Sequence, residues 1–353
     1  MESSTPKVTP AHPVTVRLLQ DALREGASDL HVNPGYPPMV RVHGLMTVLR
    51  GYPAVLPQDP IAMLHEISSA DQLKSLERDQ SLDFTWGFER NRFRTNVALT
   101  RTGYQICFRV IPVHIPSPEE LTLPQCVIDL ADLKHGLVLV TGRAGAGKST
   151  TLASLLNLIN QRRAANIVTI EDPIEFVYPQ KRSIVSQREI GPHTPSYERA
   201  LRDVLRQDPD VVMIGEMRDL ETISAAITVA ETGHVVYATL HSYDAPSSID
   251  RMIDVFPSRQ QQQIRIQLAG ALRAIVSQNL VPTRNGGRVA AREILLMNNA
   301  IANLVRQSRT HEIASAIEMG SAQGMTSMER SLMELVRTGA IDPIQLTKAR
   351  PGS

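Results

Sequence analysis

Cysteine, aromatic side chains and net charge are all scarce in this chain of 353 residues. Its two cysteines, Cys107 and Cys126, do not stand at a metal-ligand spacing, and so small a number fits a protein of a reducing compartment. The 37 basic residues nearly balance the 36 acidic ones, which argues against a protein whose main work is to coat nucleic acid. The sequence also lacks the mixed aromatic and basic surface that binds single strands. We therefore expect no nucleic-acid partner.

Long apolar runs are missing as well. No stretch approaches the roughly 18 to 20 apolar residues that a membrane-spanning helix needs. Residues 1–7 carry no apolar core of a signal peptide. We expect a soluble cytoplasmic protein that inserts no segment of its own into a membrane, so that any membrane association would come through a partner.

A proline-rich segment divides the sequence into two parts. Residues 112–124 hold four prolines, and because proline fixes its own backbone angle and lacks an amide donor, this segment is predicted to be an extended linker. The part before it, 14–111, is predicted to be an α+β domain, and residues 1–13 a flexible tail. In the α+β domain a helix is predicted at 14–25, and strands are predicted at 28–32, 39–42, 81–88, 92–99 and 104–110.

Strands and helices alternate in the second part, residues 125–353, which predicts an α/β domain whose parallel sheet is covered by helices on both faces. The predicted strands are 136–141, 166–171, 211–215 and 234–240. Helices are predicted at 195–206, with Thr194 as N-cap, and at 220–231. From Ser247 onward the chain is predicted to be largely helical, with Thr326-x-x-Glu329 as the capping box of the last helix.

The glycine-rich segment Gly142–Ser149 is the most specific motif in the sequence. It reads Gly-Arg-Ala-Gly-Ala-Gly-Lys-Ser and lies between a predicted buried strand and a predicted helix, as a phosphate-binding P-loop requires. Its backbone N–H groups can curl around phosphate oxygens, Lys148 can reach the terminal phosphates, and the Ser149 hydroxyl can ligate Mg²⁺. We predict ATP and Mg²⁺ as cofactors and, as nucleotide-binding residues, Gly142, Arg143, Ala144, Gly145, Ala146, Gly147, Lys148, Ser149 and Thr150.

Acidic residues follow two predicted strands whose ends converge beside the P-loop in a parallel sheet. Glu175 follows strand 166–171, and Glu216 follows strand 211–215. Hydrolysis of Mg·ATP needs one carboxylate at the metal shell and another that positions the attacking water, and we predict that Glu175 and Glu216 share these roles. Asp172 fits a cap or connector as well as it fits chemistry. Asp219 is predicted to be the N-cap of the helix that follows it.

Two histidines flank the strand predicted at 234–240. His241 follows the strand, at the same sheet edge as the P-loop, where it could hydrogen bond a phosphate. His234 precedes the strand and is expected at the opposite edge. Spacing alone leaves both open to the more common structural role.

Five segments together resemble the secretion ATPases that power type IV pili, and most closely the PilT-type retraction ATPases of twitching motility. The resemblance covers nearly the whole chain beyond residue 13, and the N-terminal segments Ala27-Ser-Asp-Leu-His31 and Pro37-Pro38-Met-Val-Arg41 fit the same family. The five segments are Gly142–Ser149, the acidic box Thr169–Phe176, Gly215-Glu-Met-Arg-Asp219, the histidine box Thr232–Ser242 and Ala300–Gln307.

This resemblance implies an N-terminal PAS-like α+β domain and a RecA-like P-loop ATPase domain with a helical C-terminal part. It also implies a homo-hexameric ring with ATP between the two domains. Glu175 would be the general base, and Glu216 a metal-shell or water-positioning acid. Arg94 and Arg109 match the arginines that reach the nucleotide in the family, and Arg101 is a weaker candidate.

The implied function is an ATP-hydrolysing motor for pilus retraction, which would act with an inner-membrane pilus platform protein. The alternative is a type IV secretion or conjugation ATPase with the same motor core. A nucleotide-gated adaptor without turnover is disfavoured because Glu175 and Glu216 are both present.

The C-terminal signature departs from the family pattern at two positions. Ala302 stands where an arginine is usual, and Gln307 where a glutamate is usual. In this helix Ile301, Leu304 and Val305 are predicted to pack inward, and Asn303 and Arg306 to face a partner.

Overall fold

The structure, a computed structural model, describes residues 13–42, 44–88, 91–111 and 114–348. The chain divides into two compact units between His114 and Ile115. The predicted tail lies outside the described residues apart from Pro13, and so do Pro112 and Val113 of the predicted linker.

Six antiparallel strands and three helices make up the first unit within the described ranges. The strands are β1 (Asp29–Val32), β2 (Met39–Val42), β3 (Leu45–Val48), β4 (Ser81–Phe88), β5 (Asn91–Thr100) and β6 (Gly103–Ile111), in the order β3-β2-β1-β6-β5-β4. The helices are α1 (Pro13–Arg24), α2 (Gln58–Ile67) and α3 (Ala70–Asp79).

Alternation along the strands separates the core of this unit from a polar face. Leu30, Phe93 and Phe108 are buried against apolar residues of the helices. Their neighbours Asp29, Arg94 and Arg109 project from the opposite face. The sequence predicted α1 and five of these strands, but it missed β3, α2 and α3.

A seven-stranded sheet forms the centre of the second unit. Its order is β13-β12-β7-β11-β10-β8-β9, and only β13 runs antiparallel to its neighbour among the described strands. The strands are β7 (Gly136–Thr141), β8 (Asn166–Glu171), β9 (Ile184–Glu189), β10 (Val211–Ile214), β11 (Val235–Leu240), β12 (Leu272–Pro282) and β13 (Arg288–Leu296).

Helices cover both faces of this sheet, as the sequence predicted. Along β7, Leu137 and Leu139 face one apolar cluster, while Val138 and Val140 face another. None of the helices that the described residues form is long and apolar enough to cross a membrane. They are α4 (Gln125–Ile128), α5 (Lys148–Arg162), α6 (Tyr197–Val204), α7 (Leu220–Glu231), α8 (Ala245–Asp254), α9 (Ser258–Ala271), α10 (Asn299–Arg306), α11 (Ile313–Met319), α12 (Met328–Arg337) and α13 (Gln345–Lys348).

Three predictions for this unit were wrong. The region after Ser247 is not largely helical, because β12 and β13 form a hairpin that extends the sheet. Helix α6 is capped by Ser196, whose Oγ accepts from the N–H of Arg199. The helix therefore begins at Tyr197 and not at Pro195, and Thr194 is not its cap. Likewise Ser327, and not Thr326, caps α12. The backbone of Thr326 is instead paired with Ile294 in a β-bridge, which takes it out of the capping position.

The connector, residues 115–124, packs on the second unit. Ile115 and Leu123 are buried in its core. The buried side chain of Arg292, on β13, donates from Nη2 to the carbonyl oxygen of Leu121 at 2.9 Å and from Nη1 to that of Thr122 at 3.3 Å. Strand β13 therefore holds the end of the connector by hydrogen bonds to its backbone.

Candidate nucleotide-binding site

Four neighbouring parallel strands end at one edge of the second sheet. They are β7, β11, β10 and β8, in that spatial order. The P-loop follows β7, His241 follows β11, Glu216 follows β10, and Glu175 follows β8. The topology thus gathers the predicted residues of this unit at the edge where open parallel sheets bind ligands.

The P-loop depends on glycine at its two ends. Gly142 has φ +146° and Gly147 has φ +81°, which is backbone that other residues rarely adopt. A Cβ at Gly142 would also collide with the backbone carbonyl oxygen of Gln278. Helix α5 begins at Lys148, so the amides of its first turn have no partner inside the helix and are available to an anion.

Lys148 lies inside the curl of this loop. Its side chain is buried, and Nζ donates to the carbonyl oxygens of Gly142 at 3.0 Å and Arg143 at 3.2 Å. Burial lowers the pKa of Lys148, while the negative charges of Glu216 and Glu175 oppose that shift. The ammonium group therefore lies within electrostatic reach of both predicted acids.

Glu216 is held by two basic side chains. Nη2 of Arg218 donates to Oε2 at 2.7 Å, and Nε2 of His241 lies 3.1 Å from Oε1. Burial raises the pKa of Glu216, but the hydrogen bond from Arg218 and the charges of His241 and Arg218 outweigh it, so the pKa lies below its usual value. The carboxylate is therefore ionised at neutral pH and suited to a metal shell.

Glu175 is exposed, and a second, buried acid supports the loop that carries it. The carboxylate of Glu171 accepts from Oγ1 of Thr169 at 2.6 Å, from Nε2 of Gln187 at 3.1 Å and from the backbone N–H of Glu175 at 3.3 Å. Burial raises the pKa of Glu171. Sequence reasoning named the acidic box but missed this supporting role, because Gln187 lies on β9, a strand that it did not predict.

Three other polar residues that the sequence singled out have different surroundings. Oδ1 of Asp219 accepts from the N–H of Thr222 at 2.8 Å, so it is the N-cap that the sequence predicted. His234 lies at the opposite edge of the sheet, where Nδ1 is 3.1 Å from Oγ1 of Thr232. Asp172 is exposed in the loop after β8.

Two further contacts at the P-loop were not foreseen. The guanidinium group of Arg143 lies 4.9 Å from the centre of the Tyr243 ring, a cation–π arrangement. Gln278, on β12, hydrogen bonds the carbonyl oxygen of Ala146 and the hydroxyl of Thr151. Tyr243 directly follows the histidine box, and this position in the sequence could have indicated that it lies near the site. No feature of the sequence around Gln278 indicated its contact with the P-loop.

The predicted arginines of the first unit stand side by side on its polar face. Arg94 on β5 is the register partner of Arg109 on β6. The Nε and Nη2 atoms of Arg94 donate to the carboxylate of Asp83, with the shortest distance 2.6 Å. Nε of Arg109 donates to Oδ1 of the buried Asp29 at 2.8 Å, although the Arg109 side chain is itself 67% exposed. Arg101 is exposed in the turn between these strands.

The oxygen donors at this edge fit a magnesium ion that phosphates also ligate. Ser149 offers a half-buried hydroxyl at the start of α5, and Glu216 an ionised carboxylate, both hard ligands of the kind Mg²⁺ prefers. In the part of the chain that the structure describes, no group of three or more histidine, cysteine, aspartate or glutamate side chains is placed to hold a metal ion by itself. The metal site would therefore be completed by the nucleotide.

Comparison with known proteins gives a consistent result. The model of the type II/IV secretion system protein family matches residues 120–287. The chain is 44% identical over 308 residues to a twitching motility protein of Neisseria gonorrhoeae, covering 87% of this chain and 82% of that protein. It is 42% identical over 325 residues to the type IV pilus retraction ATPase PilT of Pseudomonas aeruginosa, covering 92% and 94%.

A solved structure extends the comparison to the fold. The crystal structure of the pilus retraction motor PilT with bound ADP matches with a TM-score of 0.89 and 42% identity, over 95% of this chain and 96% of that one. The chain therefore belongs to the secretion ATPase superfamily and, within it, to the family of PilT-type proteins.

Proposed function

We propose that this chain is an ATP-hydrolysing motor that drives type IV pilus retraction and so twitching motility. The observation that carries the proposal is the convergence of the P-loop, Glu175 and Glu216 at one sheet edge. Identity above 40% to a twitching motility protein and to a pilus retraction ATPase, over most of each chain, supports it.

The geometry supports a division of labour in hydrolysis. Lys148 faces the terminal phosphates, and the amides at the start of α5 bind their oxygens. Glu175 takes a proton from the water whose oxygen attacks the terminal phosphorus, while the bond from that phosphorus to the ADP oxygen breaks. Magnesium, held by Ser149 and Glu216, would neutralise charge on the phosphates. His241 lies beside Glu216 and hydrogen bonds the phosphates there.

The first unit is proposed to be PAS-like and to act on nucleotide within a homo-hexameric ring. Its antiparallel sheet with helices on one face supports the first point. The polar face supports the second, because Arg94 and Arg109 are oriented there by carboxylates. Such arginines stabilise charge on a phosphoryl group in transfer.

Replacing either arginine is expected to reduce turnover more than ATP binding. In Arg94→Ala and Arg109→Ala we expect turnover to fall about tenfold or more, because the contact strengthens in the transition state. The measurement is phosphate release against ATP concentration, repeated over the protein concentrations at which the ring assembles. Arg78→Ala is the matched control, since it removes an exposed arginine paired with Asp79 elsewhere in the same unit. Wild-type turnover in both variants, or full specific activity in a dilute monomer, would contradict the role.

Helix α10 is proposed to contact the pilus machine, through which the motor would be held peripherally at the inner membrane. Ile301 and Val305 are buried, and Leu304 is half-buried against the same core, as predicted. Asn303 and Arg306 are exposed. Ala302, where the family usually has arginine, is buried, so the exposed face is left to Asn303, Arg306 and Gln307.

Arg306→Ala is expected to separate motility from catalysis. The purified variant should hydrolyse ATP at the wild-type rate, because its side chain is exposed on α10, a helix that packs chiefly against α9. Cells that carry it should lose surface motility. Arg337→Ala, an exposed arginine on α12, is the control and should keep both. Unchanged motility in Arg306→Ala would remove the proposed contact, and a parallel loss of ATPase activity would assign the helix to the site instead.

A further inference from the structure

Gln278 lies beneath the P-loop, on a strand that carries none of the predicted site residues. Strand β12 runs parallel to β7, and Ser277 is the register partner of Thr141, the last residue before the loop. The Gln278 side chain is 3% exposed, which is unusual for an amide unless it is fully hydrogen bonded.

The two ends of the Gln278 amide bind different parts of the phosphate site. Nε2 donates to the carbonyl oxygen of Ala146, in the loop, at 2.6 Å. Oε1 accepts from the hydroxyl of Thr151, in the first turn of α5, at 3.0 Å. One side chain therefore joins the loop to the helix that follows it.

The backbone geometry gives this contact a direction. A trans peptide is planar, so its C=O and its N–H point in opposite directions. Because Gln278 holds the Ala146 carbonyl toward β12, the N–H of the same peptide, which belongs to Gly147, points away from β12. Gly147 itself lies close to this amide, since a Cβ built on it would stand 3.2 Å from Nε2 of Gln278.

We propose that Gln278 is a positioning residue of the nucleotide site, which fixes the Ala146–Gly147 peptide so that its N–H faces the phosphates. This inference rests on the proposed function, because it assumes that the loop binds nucleotide. It adds a strand, β12, to those that build the site.

The first test replaces the amide donor by a carboxylate. In Gln278→Glu the side chain still accepts from Thr151, but at pH 8 it places a second acceptor against the Ala146 carbonyl oxygen. We expect affinity for fluorescent ADP to fall about tenfold or more relative to wild type, as for a buried acceptor left without its donor. As pH falls, the introduced carboxyl, whose pKa burial raises, becomes protonated and can donate to Ala146. The deficit should therefore be full at pH 8 and should shrink toward pH 5.5.

A loss of affinity caused only by altered packing of the side chain would not give this pH-dependent rescue. Gln278→Met, which keeps length but has neither donor nor acceptor, should show the affinity loss at every pH. It also serves where Gln278→Glu does not fold. Ser277→Ala is the matched control: its hydroxyl bonds Thr141 at 2.8 Å and not the loop, so ADP affinity should stay near wild type. Thermal unfolding without nucleotide monitors the fold of each variant.

The outcomes separate the two claims. Wild-type ADP affinity in Gln278→Met at all pH values, or a deficit in Gln278→Glu that does not shrink on acidification, would overturn the positioning role. A wild-type protein that binds ADP but does not hydrolyse ATP would overturn the proposed motor function and leave the positioning role standing.

Discussion

Replacing Lys148 with alanine is expected to reduce ATP hydrolysis to background. The ammonium group is the cation enclosed by the P-loop, bonded to the carbonyl oxygens of Gly142 and Arg143, and its loss leaves the terminal phosphates without that charge. The fold should survive, because Nζ binds loop carbonyls and not core side chains. Phosphate release from purified protein measures the loss, and cells with this variant should assemble pili that do not retract.

Lys181→Ala is the matched control for this experiment. Nζ of Lys181 lies 3.3 Å from Oδ1 of Asn157, in the second half of α5, so its removal also touches α5 but not the loop. It should hydrolyse ATP at the wild-type rate. If Lys148→Ala kept the wild-type rate, the P-loop assignment would be wrong.

Replacing Glu175 with glutamine is expected to leave ATP binding intact and to slow turnover at least about tenfold, the lower end of what a positioned base contributes. Glutamine keeps the shape of the side chain and its hydrogen bonding but cannot accept the proton. The backbone contact to Glu171 does not involve the altered group, so the loop should keep its place. The measurement is kcat beside the Kd of a non-hydrolysable ATP analogue.

Glu216→Gln supplies the contrast. It removes the charge that Arg218 and His241 stabilise, so it should lower the affinity for Mg²⁺ and raise the Mg²⁺ concentration needed for half-maximal activity. Near-normal turnover in Glu175→Gln together with collapse in Glu216→Gln would reverse the two roles.

Contiguous motifs made much of the second unit predictable. Gly142–Ser149 is read without tertiary information, and the strand before it is apolar at nearly every position. Glu216 could be placed because it directly follows a short apolar strand, and parallel strands bring such ends together. The arginines Arg94 and Arg109 came only from the family resemblance. Strand alternation puts Arg92 and Arg94 on one side of β5 and so did not distinguish between them.

The missed residues depend on tertiary neighbours. Gln278 gains its role because β12 pairs with β7, which is distant in the sequence. Ser277 on β12 and Thr141 on β7, which are hydrogen bonded, are 136 positions apart. The apolar stretch around it is buried on both faces, so it lacks the alternation that marks a strand. The helix caps were wrong because Thr194 and Ser196, like Thr326 and Ser327, are near-equivalent candidates in sequence. Backbone bridges distinguish them, since Thr194 is bridged to Ile190 and Thr326 to Ile294.

The contact between Arg292 and the connector should respond little to changes in ionic strength. Its acceptors are the carbonyl oxygens of Leu121 and Thr122, and it is buried, so dissolved ions have little access to the contact. Burial lowers its pKa to about 10, which still leaves the guanidinium charged at neutral pH. The pair of Arg94 and Asp83 is half-exposed and is screened by salt. Salt therefore loosens the hold on an arginine proposed to act on nucleotide, while the connector stays fastened to β13.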